Sequence, residues 1–265
     1  MPADTPLVSI ITPSFNQAEY LRDTIESVLT QRYPNVEYII VDGGSTDGSV
    51  DLIRSYEDRL AGWMSEPDLG QTDAINKGFA RASGEILAWL NSDDIYYPGA
   101  IEGAVDYLSH HRQIGMVYGN AYYIDEAGDR IGRYPAGETD YWGLRRGVNT
   151  IPQQSMFIRS KLWRMIGPLD PTFYYAMDYD LWVRIAELTP IAFQDSYWAG
   201  FRLHSSSKSL MEARRCWPEM MRVHFRDGGS RLSVLNFKYI LRRIVEPLMP
   251  LRLKYFQWKY QLENR

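Results

Sequence analysis

Residues 85–94 read EILAWLNSDD, and the fold turns on how that stretch is understood. Ile86–Leu90 is an apolar run too short for a stable helix, and it stops abruptly at Asn91-Ser92-Asp93-Asp94. A run of this kind, bounded by turn residues, is the pattern of a strand buried on both faces. The same pattern stands twice upstream. Val36–Val41 ends at Asp42-Gly43-Gly44-Ser45, and Leu7–Ile11 leads into Pro13-Ser14-Phe15-Asn16. From Ala18 to Thr30, the residues Tyr20, Leu21, Ile25, Val28 and Leu29 follow helical spacing. Val50–Leu60, capped by Thr46 or Asp47, and Thr72–Ala82 are further predicted helices. A short strand at Trp63–Ser65 precedes the loop Glu66–Gly70. Strands alternating with helices predict βαβ units and a mostly parallel α/β sheet.

Parallel strands bring their carboxyl ends to one edge, and open α/β sheets bind ligands there, beside a topological switch point. Three polar clusters fall at those ends: Pro13–Asn16, Asp42–Gly44 and Asp93-Asp94. Each alone reads equally as a turn, because turns favour Asp, Gly, Ser and Asn. Three at strand ends argue for a site. Carboxylates gathered there call for a cation or hydroxyl donors between them. The first strand is not followed by GxGxxG, and the chain has no P-loop, which excludes the usual dinucleotide and P-loop sites. Asp93-Asp94 suits a hard divalent cation, Mn²⁺ or Mg²⁺, whose remaining ligands come from substrate phosphates. An exposed turn or helix cap ahead of Pro98-Gly99 is the alternative reading.

Composition narrows the class. At 265 residues, with 45% hydrophobic and 23% charged residues, the chain is globular, which excludes disordered and fibrous proteins. The single Cys216 forms no internal disulfide, which favours a reducing compartment. The opening MPADTPLVSIITPS lacks the basic segment of a secretory signal, and no run of 18 apolar residues occurs to span a bilayer. The expected location is cytoplasmic, free or peripheral on the cytoplasmic face of a membrane. The net charge of −4 hides a division: residues 201–265 carry 14 Lys and Arg against 5 Asp and Glu. That basic end either docks on the acidic remainder or seeks an anionic surface. No nucleic-acid partner is expected.

The stretch VSIITPSFNQAEYLRDTIESVLTQRYPNVEYIIVDGGSTDGS (Val8–Ser49), followed by EPDLGQTDAINKGFARASGEILAWLNSDD (Glu66–Asp94), resembles the nucleotide-sugar-binding half of family 2 glycosyltransferases. These are inverting enzymes with the GT-A fold. The likeness continues more sparsely through PQQSMF (Pro152–Phe157), AMDYDLWVRIA (Ala176–Ala186) and FRLHSSSKS (Phe201–Ser209). It implies a GT-A domain over residues 1–210, with a nucleotide-sugar half to about 115 and an acceptor half from about 116. Residues 211–265 follow as a basic amphipathic helical tail.

The resemblance also implies roles. Pro13, Phe15, Asn16 and Asp42 would line the nucleoside pocket, with Asp42 accepting a hydrogen bond from the base. Asp68, Gln71 and Asn76 would border the nucleotide. Asp94 would be the direct metal ligand, joined by His204, while Asp93 contacts the ribose or the metal's water shell. Arg202 and Ser205–Ser209 would help hold the leaving diphosphate. Asp178 matches the family's catalytic base. Without the resemblance, Asp178 and Asp180 read as carboxylates at a helix start, and His204 as a packed histidine. Gln153 and Gln154 would face the acceptor, or satisfy backbone groups in a buried turn. Two departures stand out: relatives commonly have Glu-Asp at Met177-Asp178, which affects acceptor recognition, and Tyr where Phe15 stands.

The chemistry these residues imply is transfer of a sugar, with inversion, from a UDP-, GDP- or dTDP-linked donor to a hydroxyl of a glycan or lipid-linked acceptor. That setting points to surface polysaccharide or glycoconjugate assembly. A nucleotidyltransferase and a non-catalytic nucleotide-sugar-binding protein are the alternatives. The first lacks its glycine-rich phosphate loop, and the second has no need of Asp93-Asp94 together with Asp178. In the tail, Phe237, Leu241, Ile244 and Leu248 repeat at helical spacing among Lys238, Arg242 and Arg243, up to Pro247 and Pro250. LRLKYFQWKYQL (Leu251–Leu262) then mixes basic and aromatic residues. Such a segment lies on an anionic membrane, packs on the domain, or forms a homodimer contact.

Overall fold

The structure, a computed structural model, describes residues 5–204 and 213–245. The first half follows the predicted alternation closely. Strand β1 (Val8–Ser14), helix α1 (Ala18–Leu29), β2 (Val36–Asp42), α2 (Ser49–Arg54), β3 (Gly62–Ser65), α3 (Gln71–Arg81) and β4 (Ile86–Trp89) succeed one another. The predicted helix Val50–Leu60 is shorter than expected. It ends at Arg54 and yields to a separate 3₁₀ turn at Glu57–Arg59.

The second half departs from simple βαβ order. It contains β5 (Ile95–Tyr96), α4 (Ala100–His110), β6 (Met116–Ile124), β7 (Arg130–Arg133) and α5 (Tyr141–Arg145). After a 3₁₀ turn at Gln153–Ser155 come β8 (Met156–Arg159), α6 (Ser160–Ile166), α7 (Met177–Leu188) and β9 (Ile191–Arg202). Two further helices are α8 (Ala213–Arg226) and α9 (Val234–Val245).

All the strands join one sheet in the order β3-β2-β1-β4-β8-β6-β9-β5, with β7 added to β6. β1 to β4 are mutually parallel, β8 runs antiparallel to both β4 and β6, and β6 and β9 are parallel. From β1 the chain moves outward through β2 and β3, then crosses back to place β4 on the other side of β1. The switch point therefore lies between β1 and β4. Register aligns the strand ends there: Ser14 pairs with Asp42, Asp42 with Ser65, and Ile11 with Trp89.

Side-chain alternation along the parallel strands divides the interior into two cores. Val8, Ile10, Tyr38, Ile40, Ile86 and Ala88 meet α1 and α4 on one face. Ile11, Ile39, Val41, Leu87 and Trp89 meet α3, α6 and α7 on the other. Every residue of β1 is buried, which explains why its sequence shows no polar alternation. Gly78 lets α3 settle on β1, because a Cβ there would run into the Ile11 side chain.

The helices after residue 210 pack on the domain, one of the placements expected for the tail. Met220 and Val223 of α8 are buried in the same core as Met177 and Trp182 of α7. Leu235 of α9 is buried as well, and a Cβ on Gly147 would contact it. Ser205–Ser209 and the stretch from Pro247 through Leu262 lie outside the described residues.

Candidate active site

The loops after β1 and β2 are tied to each other by side chains reaching backbone groups. Asn16 adopts a left-handed conformation, φ 50°, and its Oδ1 accepts from the Thr46 N–H at 2.9 Å. In return the Asn16 N–H donates to Ser45 Oγ, and the N–H groups of Gln17 and Ala18 donate to Ser49 Oγ and Asp47. Asn tolerates this backbone better than other non-glycine residues, because its short polar side chain bonds locally. Phe15 stands beyond this junction at 58% exposure, while Pro13 is buried within β1. A bare aromatic face at a strand end suits stacking against a planar base.

Asp42 is fully buried at the end of β2. Its carboxylate accepts from the N–H groups of Gly44 (3.0 Å) and Ser45 (2.9 Å) and from the hydroxyls of Ser45 (2.5 Å) and Ser65 (2.7 Å). Three of these donors meet Oδ2 and one meets Oδ1, so Oδ1 keeps an acceptor site beyond its bond to Ser45. The four bonds shape the Gly43-Gly44-Ser45 turn. Asp68 packs on that turn, where a Cβ at Gly43 would lie 2.7 Å from its Oδ2. Asp68 also accepts from the Gly70 N–H, shaping the start of α3.

The turn after β4 is built from within. Asp94 is completely buried. Its Oδ1 accepts from the Arg202 N–H at 2.9 Å and its Oδ2 from Asn91 at 3.1 Å, while Gln154 adds a third donor. Burial, reinforced by the charge of Asp93, raises the Asp94 carboxyl well above the usual range, and these donors oppose that shift. The expectation that Asp94 binds metal directly meets a carboxylate turned into protein. Asp93 faces the other way. Its Oδ2 lies 3.0 Å from Nε2 of His204, which follows β9 and packs its ring 4.7 Å from that of Tyr20.

Three further expectations are corrected by the same region. Arg202 does not face a diphosphate: its guanidinium is fully buried, donating to the carbonyls of Asp93, Asp125 and Glu126 and to the Asp23 carboxylate. It anchors the turn from behind. Gln153 donates to the Trp89 carbonyl and accepts from Asn91, and Gln154 reaches Asp94, so both brace the turn and not an acceptor. Asn76 spends its amide on both backbone groups of Leu169 and holds the segment before α7 instead of a nucleotide.

Asp178 sits in the first turn of α7, partly buried, and its Oδ1 accepts from the Tyr179 N–H at 2.6 Å. Burial pushes its carboxyl up to about 6, with the Glu219 charge adding and the backbone donors opposing. A short chain of contacts joins it to the Asp93 turn. Gln71, the first residue of α3, donates to Asn91 Oδ1 at 2.6 Å, and the neighbouring Thr72 hydroxyl lies 2.8 Å from the Met177 sulfur. The start of α3 therefore lies between the two carboxylate-bearing turns. Asn91 was quoted in the sequence without a role. It proves central, contacting Gln71, Asp94 and Gln153.

Comparison with known proteins follows this geometry. Residues 9–174 match the family described as Glycosyl transferase family 2. This chain belongs to glycosyltransferase family 2. That membership sets aside the nucleotidyltransferase alternative. An uncharacterized glycosyltransferase of Rickettsia felis is 34% identical over 214 residues, covering 77% of this chain and 35% of the relative, so the chain spans about one third of that protein's length. Among solved structures, mannosyltransferase PcManGT of Pyrobaculum calidifontis, in complex with GDP-Man and Mn²⁺, superposes with TM-score 0.68 at 18% identity, covering 98% of this chain and 74% of that one. S. aureus TarS 1–349 in complex with UDP-GlcNAc gives 0.64 at 16%, covering 82% and 65%. At these identities the likeness to the two structures is one of fold, and the fold is GT-A.

Replacing Arg202 by Met removes the donors to three carbonyls and one carboxylate beneath the Asp93 turn. Arg202→Met is expected to lower unfolding stability by about 2–4 kcal/mol, since the one buried guanidinium makes four charge-assisted bonds that methionine cannot replace. Urea denaturation measures this, and an unchanged midpoint would show that the buried guanidinium is dispensable.

Proposed function

We propose that this chain is an inverting glycosyltransferase that moves a sugar from a nucleoside-diphosphate donor to an acceptor hydroxyl, with Asp178 as the base. The observation that carries this reading is the raised carboxyl of Asp178 at a helix start whose first residue, Met177, touches Thr72 beside Gln71, which in turn bonds Asn91 of the Asp93 turn. A group titrating near 6 is mostly ionised at neutral pH, yet is a better proton acceptor than an ordinary aspartate. The Asp178 carboxylate takes the acceptor hydroxyl's proton as that oxygen bonds to the anomeric carbon. The bond from that carbon to the diphosphate breaks on the opposite side, and the configuration inverts, as in the general-base chemistry of inverting glycoside hydrolysis.

Phe15 supplies a face for the base, and the Gly43-Gly44 turn, shaped by Asp42, lets the nucleoside approach the backbone. Asp93 and His204 are the residues that would hold the divalent metal. A buried imidazole and a half-buried carboxylate oxygen side by side form a mixed donor pair that suits Mn²⁺. The bound ion would supply Lewis-acid stabilisation of the departing diphosphate. Asp94 and Arg202 keep Asp93 turned outward. The donor is read as UDP- or GDP-linked by analogy with the UDP-GlcNAc and GDP-Man complexes of TarS and PcManGT. Surface polysaccharide or glycoconjugate assembly is the proposed setting.

The acceptor is read as lipid-linked at a membrane surface, on the evidence of α9. Val234, Phe237 and Leu241 are exposed along one stripe, with Lys238, Arg242 and Arg243 beside it and no acidic residue in the helix. An apolar stripe with purely basic flanks complements anionic headgroups. No helix among the described residues is long and apolar enough to cross a membrane.

Asp178→Asn is expected to abolish turnover of UDP- or GDP-sugars while preserving the thermal stabilisation that UDP or GDP confers with Mn²⁺. Full turnover in that variant would refute the assignment of the base. In the wild-type protein, turnover should fall tenfold per unit as pH drops below about 6, because protonated Asp178 accepts no proton. A flat profile through pH 5 would place the base elsewhere. Vesicles containing phosphatidylglycerol should sediment the protein, weakening with salt, while pure phosphatidylcholine should not. Equal partitioning between the two, or a dimer that binds neither, would assign the α9 stripe to another partner.

A further inference from the structure

The start of α7 has no cap of its own. Ala176 occupies the N-cap position and offers no side-chain acceptor to the first N–H groups, which in any helix lack intrahelical partners. The segment that leads into the helix, up to the N-cap, is instead held by an acceptor from a helix some 40 residues later in the chain. Glu219 of α8 accepts from the N–H groups of Tyr174 (3.1 Å), Tyr175 (2.7 Å) and Ala176 (2.8 Å), using both carboxylate oxygens. A negative charge at this end of a helix also interacts favourably with the helix dipole.

The same helix holds the surrounding segment at several other points. Arg222 donates to the carbonyl and hydroxyl of Thr172 and lies over the Phe173 ring at 4.6 Å. Arg226 pairs with Asp180, which Arg184 also contacts at 2.9 Å. Met220 and Val223 bury themselves against the α7 core. α8 therefore grips Thr172 through Ala176 and Asp180, on both sides of Asp178, whose own carboxylate is left to a local backbone donor. Stability alone would be served by the buried side chains and by Arg226. Three charge-assisted bonds to the consecutive N–H groups that end at the N-cap, two residues ahead of Asp178, do something more specific: they set where α7 begins.

We propose that Glu219 is a positioning residue for Asp178, bracing the Tyr174–Ala176 segment so that the base is held toward the Asp93 turn, and that α8 is in this way part of the reaction site. This rests on the reading of Asp178 as the base. The titratable groups facing Asp178 are Glu219 and Cys216 of α8 and Tyr134, which follows β7. Burial pushes the Cys216 thiol up to about 12 and raises the Tyr134 hydroxyl also, so both are neutral at working pH. Glu219 is the charge among them, and it acts on Asp178 both by geometry and by field.

Two variants separate those effects. Glu219→Ala removes all three acceptor bonds. Amide hydrogen exchange at residues 174–176 should quicken, and kcat for UDP- or GDP-sugar turnover should fall by up to about 100-fold, the scale of a displacement near 1 Å, with the donor KM little changed. Glu219→Gln keeps one acceptor oxygen but removes the charge. It should retain most of kcat and move the acid limb of the pH profile to lower pH, because a like charge near Asp178 is gone. Faster exchange with unchanged kcat in Glu219→Ala, a loss confined to KM, or an acid limb unmoved in Glu219→Gln would each overturn the proposal. Should the wild-type protein turn over no nucleotide sugar, the reading of the reaction fails separately. The coupling is then still tested by ¹³C-carboxyl titration of Asp178 in wild type and Glu219→Gln, where identical midpoints would overturn it.

Discussion

The structure depends on a carboxylate that is completely buried. Asp94 is sealed under the end of β4, satisfied by the Arg202 N–H, Asn91 and Gln154. A buried carboxylate without such donors would be strongly destabilising, and two of the three, Arg202 and Gln154, arrive from distant parts of the chain. Meeting that requirement brings β9, the turn before β8 and the β4 end together. It also dictates the orientation of the next carboxylate. With Asp94 turned inward, Asp93 presents its oxygen to His204 at the sheet edge. The buried member of the pair sets the fold, and the half-buried member is the one the proposed reading uses.

Around this point the protein follows one plan. Parallel strands deliver Ser14, Asp42 and the β4 turn to a common edge, and side-chain hydrogen bonds fix the loops there. Asn16 ties the first loop to the second, Asp42 folds the second on itself, and Asp68 closes over it. α3 then carries the geometry across to the other half through Gln71 and Thr72. Asp178 arrives from a helix whose start is braced by α8. Each polar group that the site exposes rests on one that the fold buries.

This layering explains which parts of the sequence could be read. β1 to β4 and α1 and α3 were legible to within a few residues, since their apolar periodicity is local. That Asp42 and Asp93 fall at or beside strand ends, and Asp178 at a helix start, was legible because turns and strand ends announce themselves. The division of labour was not legible. Whether Asp93 or Asp94 faces outward depends on Arg202, 108 residues away from Asp94, and nothing in NSDD encodes it. Gln153, Gln154, Asn76 and Arg202 carry residue types suited to ligands, yet their partners are the backbone and side chains of remote loops. Glu219 offered no signal, as a lone glutamate in a helix reads as surface. The mixed strands β5 to β9 were likewise hidden, because pairing of β6 with both β8 and β9 is set by tertiary packing.

The most direct measurement of this account is a crystal structure with UDP or GDP and Mn²⁺, reading the anomalous signal of the metal. The account predicts a peak coordinated by Asp93 and His204 together with the nucleotide's phosphates, with Asp94 still enclosed by Arg202, Asn91 and Gln154. A peak bound directly by the Asp94 carboxylate, or one remote from His204, would contradict it.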